Sequence, residues 1–267
     1  MRRSRTPWPL AIVAGLVLAA GLTGCSDDAD PTSPDAVAPA LPAPEQLTFD
    51  FSFFAQGEQL DTDKEAGEYS HFVNAYLRAA LLDLMAHLVI SPPVAAFSLA
   101  LDTPPSLQDD GSWVWVYTHV DGDEEAEIRL QGWPRDVGVD WELRVTYDDV
   151  DGVVWFDGHT EQEAQVGSWT FYEVEDPAHP ATGRIAWDAA SATERLLFTV
   201  MTGEDAGDTL EFRDHGAHAE IEHVDVTEQQ TSTIRWYPDG HGWIRWSDYD
   251  GFQRSCWDVD LRNTECE

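Results

Sequence analysis

The densest set of groups able to do chemistry is Asp214-His215-Gly216-Ala217-His218, followed by His223 and bordered by Glu220 and Glu222. Imidazole nitrogens and carboxylate oxygens are the donors that zinc selects. His218 and His223 differ by an odd number of residues, so a regular strand carrying both aims them at opposite faces. Only His215 and His218, facing each other across a turn, converge readily. A solvated hairpin accounts for the same residues. The sequence therefore predicts neither a metal nor a cofactor, and leaves His215 and His218 as the candidate pair if an ion binds.

Two acidic runs, Asp148-Asp149-Val150-Asp151-Gly152 and Ser247-Asp248-Tyr249-Asp250-Gly251, raise the question of calcium. Setting either glycine at position six of an EF-hand loop puts Tyr147 or Trp246 at position one, and Gly158 or Trp257 where glutamate is required. The pattern fails, and acidic turns are expected instead. The chain contains none of G-x-S-x-G, S-x-x-K, H-E-x-x-H, the P-loop or G-x-G-x-x-G. With 50 carboxylates in the chain, a pair at glycosidase spacing arises by chance and elects nothing. No catalytic residue is assigned, and the balance favours a non-catalytic protein over an enzyme.

The amino terminus carries a more specific message. Met1-Arg2-Arg3-Ser4-Arg5 is basic, and from Leu10 to Leu22 the chain is apolar or glycine throughout. These are the n-region and h-region of an export signal, the latter too short to span a bilayer comfortably. Leu22-Thr23-Gly24-Cys25 follows, and it resembles the lipobox of bacterial lipoproteins. The resemblance implies a diacylglycerol thioether on Cys25, cleavage after Gly24 that removes a 1–24 signal peptide, and acylation of the new amino terminus. Two or three acyl chains hold a protein on a membrane almost permanently, at about 0.8 kcal/mol per buried CH₂. It also implies a bacterial cell-envelope protein, lipid-anchored to the outer membrane on its periplasmic or surface face. Ser26-Asp27-Asp28-Ala29-Asp30 is similar to an acidic surface-sorting signal, and reads equally well as the start of a solvated linker. With Cys25 acylated and the chain exported, Cys256 and Cys266 are the two thiols left, and a disulfide between them is the natural pairing.

Loss of residues 1–24 takes three of the 15 basic residues and no acidic one, leaving 12 against 50, a formal charge of −38. Lys64 is the one lysine that remains. Phosphate contacts require arginine and lysine clusters, so nucleic acid is excluded as a partner. Such acidity suits a saline habitat, while a high-GC genome equally favours arginine over lysine. From 25 to 46 the lipidated end runs into a tether with prolines at 31, 34, 39, 42 and 44. Its reach is at most about 60 Å at 3.1 Å per residue.

Residues 47–267 are expected to form one globular domain. A helix is predicted from Tyr69 to Ile90, ended by Ser91-Pro92-Pro93 and apolar around most of its circumference. Arg78 and Asp83 near its middle argue against a membrane span and for a core helix. Val94 to Leu101 is expected as a short second helix or an irregular packing segment. From 112 to 267, short runs rich in Trp, Val, Tyr and Thr alternate with turn signals, among them Asp157-Gly158 and Asp239-Gly240. The predicted fold is mainly β with one long N-terminal helix. About twelve antiparallel strands form a meander, strongly curved and open or nearly closed as a barrel, wrapped over that helix.

Three functions fit this description. The first is a lipid-anchored, non-catalytic binding or structural module. The second is a carrier of lipid or another hydrophobic ligand in a cavity between sheet and helix, and the third an envelope glycan hydrolase. The partners are accordingly the membrane, through the lipid, and an envelope protein, a glycan or a hydrophobic ligand. The 11 tryptophans of the mature chain serve sugar stacking or a cavity only if exposed, and filling the core is the expected use of most.

Overall fold

The computed structural model describes residues 37–41, 52–54, 67–80, 97, 99–121, 124–148 and 150–266, all within the compact unit Val37–Glu267. Cys25, the signal region, most of the tether and residues 81–90 lie outside the described residues.

Strands follow the alternating runs: β1 (Ser106–Leu107), β2 (Trp113–Asp121), β3 (Glu124–Pro134), β4 (Val139–Tyr147), β5 (Val150–Glu161), β6 (Val166–Tyr172) and β7 (Ala181–Asp188). The second half continues with β8 (Glu194–Val200), β9 (Thr209–Asp214), β10 (Ala219–Asp225), β11 (Gln230–Trp236), β12 (Gly242–Arg245), β13 (Ser255–Trp257) and β14 (Asn263–Thr264). Every strand pairs antiparallel with its sequence neighbours in one 14-stranded meander. The twelve expected strands are β2 to β13, and the two additions are two-residue edges. The sheet is open rather than closed, since β1 and β14 end it without pairing to each other.

Alternation sends one residue set to a common inner face. Cross-strand pairing lines up Trp187, Leu196, Phe212, Ile221, Ile234 and Ile244 across six strands, all buried. A second row reads Trp113, Gly132, Trp141, Gly158 and Trp169 across β2 to β6. Large and small alternate there because Trp141 lies over Gly132 and Trp169 over Gly158. A Cβ on Gly132 would stand 2.7 Å from the Trp141 ring, and one on Gly158 2.3 Å from that of Trp169. Gly167 under Trp187 and Gly242 under Trp257 repeat the arrangement. Glycine in a strand marks such close approaches. Asp157-Gly158, read from sequence as a turn, is therefore mid-strand in β5.

Over this face lies helix α1 (70–80), with Phe72, Ala75 and Ala79 fully buried, and a helical stretch at 97 and 99–101 that buries Phe97 and Ala100. Phe97 stacks on Trp169 at 4.8 Å, and Phe72 meets Trp257 edge-on at 5.7 Å. Of the long helix expected from Tyr69 to Ile90, the described residues hold a short one of 11 residues, about 16 Å at 1.5 Å per residue, and 81–90 lie outside the described residues. This short helix is not a core helix on all sides. Leu77 is 52% exposed, because an open sheet covers one side of α1 and leaves the other uncovered. Within the segment expected as tether, Ala38 and Leu41 pack against the same core.

Asn263 on β14 ties the sheet edge to the start of α1. Its Oδ1 accepts the His71 N–H at 3.0 Å, its Nδ2 donates to Ser70 Oγ at 2.8 Å, and its backbone N–H donates to the Glu68 carbonyl at 2.7 Å. An N–H at the helix start that lacks an intrahelical partner is thus satisfied by a strand. The Cys256–Cys266 disulfide, Cα–Cα 5.3 Å, holds this edge down. Closing a loop with a sequence separation of 10 stabilises by about 2 to 3 kcal/mol. Replacing both cysteines by serine is expected to lower the thermal midpoint by roughly 5 to 10 °C. Melting of the variant and of the reduced protein checks this, and unchanged midpoints in both would contradict it.

Candidate functional site

The tip of the β9–β10 hairpin brings the candidate pair together. His215 N–H donates to the His218 carbonyl at 3.0 Å, Gly216 takes φ +71°, and Asp214 accepts the Gly216 N–H at 2.6 Å. This tight reversal stacks the His215 and His218 rings at 4.5 Å with 25° between their planes. Glu220, the first outward-facing residue of β10, completes the group. One donor atom from each of His215, His218 and Glu220 lies within 4.8 Å of the others. Sequence places Glu220 only beside the pair. Its spacing of two from His218, which puts both on one face of a strand, is the signal that identifies it.

Glu220 is buried and held from two sides. Its Oε1 accepts from Arg213 Nη1 at 2.9 Å on β9, and its Oε2 from Arg235 Nη2 at 2.5 Å on β11. Burial pushes its carboxyl upward, but the bonds from Arg235 and Arg213 outweigh this and hold it below the ordinary glutamate value. His215 Nε2 stands 3.6 Å from Glu220 Oε1, while its Nδ1 lies 3.3 Å from the Thr193 hydroxyl. Burial, the Arg235 charge and the His215 ring together lower the His218 pKa, so the neutral imidazole prevails at neutral pH. On the adjoining β11–β12 hairpin, Tyr237 and His241 stack at 4.1 Å, and the Tyr237 ring lies 5.7 Å from His218.

The site caps a ladder of ion pairs on the outer face. Arg195 bonds the buried Glu211, Glu211 bonds Arg213, Arg213 bridges to Glu220, and Glu220 bonds Arg235. The guanidinium of Arg235 then faces the Trp243 ring at 5.4 Å, with Arg254 at 4.8 Å from the same ring. Alternation predicts such a polar outer face, but not which carboxylates it buries.

His223 takes the opposite face, as its parity requires. It stacks on Trp246 at 5.9 Å and approaches the buried Asp208 at 4.0 Å. In the neighbouring cluster, Arg78 from α1 lies over Trp246 and Tyr249 and pairs with Asp248 at 2.5 Å. Arg78 therefore neutralises part of the second acidic run. In the first run, Asp148 takes φ +45° at the β4–β5 turn, and the Gly152 N–H donates to Thr146 Oγ1.

Asp140, His159 and Ser168 sit opposite one another on β4, β5 and β6, in the order that nucleophilic catalysis uses. Asp140 bonds His159 Nδ1 at 2.7 Å, but Nε2 faces Glu161 at 3.5 Å, and Ser168 Oγ accepts from Arg184. Among the described residues no imidazole or carboxylate is hydrogen-bonded to the Ser168 hydroxyl, and the trio is an outer-face polar chain. A surface hollow of about 350 Å³ lies alongside, lined by His159, Arg184 and Arg195 among others. Another of about 470 Å³ lies at the β4–β5 end, lined by Val150, Val153, Val174, Asp148, Glu175 and Asp176 among others.

Six tryptophans (115, 141, 169, 187, 236 and 257) are buried in the core, and Trp113, Trp155 and Trp246 pack against it. Trp133 and Trp243 stand on the outer face nine strands apart in the meander order, and form no row. A scan against protein-family models finds no match, and searches of curated proteins and of solved structures find none either.

Proposed function

We propose that this chain is a bacterial lipoprotein: a lipid-anchored, non-catalytic binding or structural module of the cell envelope. The observation that carries the reading is Leu22-Thr23-Gly24-Cys25 directly after a basic and then apolar amino terminus. The Cys256–Cys266 disulfide supports it, since such bridges persist in exported compartments and this one leaves Cys25 as the remaining cysteine. Aromatic rings fill the inner face among the described residues, which favours a module working through its outer surface over a carrier with an internal cargo. The polar chain at His159 with no activated hydroxyl favours a non-catalytic role over a hydrolase.

Protein recovered from bacterial membranes is expected to begin at Cys25, with diacylglycerol and a further acyl chain in the mass of its first peptide. The Cys25→Ser variant should keep residues 1–24 and fall at least tenfold in the detergent-phase fraction. A wild-type protein that is unacylated and water-extractable would refute the proposal.

A further inference from the structure

We infer that His215, His218 and Glu220 form a binding site for a borderline divalent transition-metal ion, with Zn²⁺ as the probe that defines it. Two imidazoles and one carboxylate are a donor set that zinc takes when a fourth position stays open. Ligands at about 2.1 Å around a tetrahedral ion stand about 3.4 Å apart. The donor atoms here lie within 4.8 Å of one another. Closing that gap needs roughly an ångström of movement from two partly exposed rings on a hairpin tip.

The surroundings are those of a supported site. The Thr193 hydroxyl at His215 Nδ1 orients the ring and leaves Nε2, the nitrogen nearer Glu220, as the metal-facing atom. Arg235 fixes the carboxylate through two bonds to Oε2, and Arg213 through one to Oε1, which retains a second lone pair on the oxygen nearer His215. Their two positive charges do not make the tip cationic. Arg195, Arg213 and Arg235 are balanced by Glu211, Glu220 and Glu222, and Asp214 adds a further carboxylate at the tip. The whole chain carries a formal charge of −35, a field that concentrates divalent cations.

The test is calorimetric titration of Zn²⁺ into chelator-treated protein carrying no affinity tag. One saturable site per chain is expected, weakened at least tenfold by His215→Ala and at least tenfold by His218→Ala. His223→Ala, on the opposite face, should leave it unchanged. With Co²⁺, the intense visible absorption of a tetrahedral ion should appear in the wild type and be lost in both hairpin variants. Both histidines lie at the surface tip, so these variants fold, and circular dichroism verifies it. Absence of saturable binding, or binding that the two hairpin substitutions leave intact, would overturn the inference and assign any zinc uptake to dispersed carboxylates.

Discussion

Gly158→Ala is expected to lower the thermal midpoint by roughly 6 to 12 °C, the equivalent of about 3 kcal/mol in a domain of this size. The added Cβ would stand 2.1 Å from the Ser168 carbonyl oxygen and 2.3 Å from Cδ1 of Trp169. The first of these is backbone on the adjoining strand. Relief therefore requires β5 and β6 to move apart where they pair, at Gly158 opposite Trp169. Trp169 cannot swing away either, being fully buried against Phe97, Phe156 and Trp187. Gly152 in the same strand is the control. It takes φ +59° with nothing within 4 Å of its virtual Cβ, so alanine there costs only the left-handed strain, about 1 kcal/mol. Thermal melts of the two variants separate crowding from backbone strain. Equal losses would show that the indole–glycine contact does not set the packing.

The same glycine shows where the sequence is legible. Alternation and turn chemistry locate twelve strands, because hairpin pairing is local and each strand carries its own period of two. The edges β1 and β14 are too short to show a period, and only their neighbours define them. Asp157-Gly158 resembles a turn because the need for its glycine arises from Trp169 on the next strand, a demand no local window contains. The apolar circumference of the predicted helix implies burial on every side. Exposure of Leu77 depends on the sheet staying open, a property of the whole meander. At the hairpin tip, His215 and His218 are readable because a turn joins them. Arg213 and Arg235 are not, because their link to Glu220 depends on the register of three strands.

That register gives Glu220, paired with an arginine on each neighbouring strand, a large expected electrostatic effect. Glu220→Gln keeps the shape but removes the charge that two guanidiniums share, leaving Arg213 and Arg235 facing a neutral amide. Losing one partner from a buried ion pair costs about 3 to 5 kcal/mol. Here the arginine side chains are 27% and 32% exposed, so water recovers part of that, and about 2 to 3 kcal/mol is expected at pH 7. The pH dependence has a definite sign. The folded pKa of Glu220 lies below its ordinary value, so the folded protein binds fewer protons there than the unfolded chain. Its contribution is therefore complete above the unfolded value of about 4.3 and is lost as pH falls through the lower folded value. Urea unfolding of wild type and Glu220→Gln should differ fully at pH 7 and converge as the pH drops below about 4. A difference that persists unchanged in acid would mean that the substitution acts through packing, and that the ladder from Arg195 to Arg235 owes its stability to shape rather than charge.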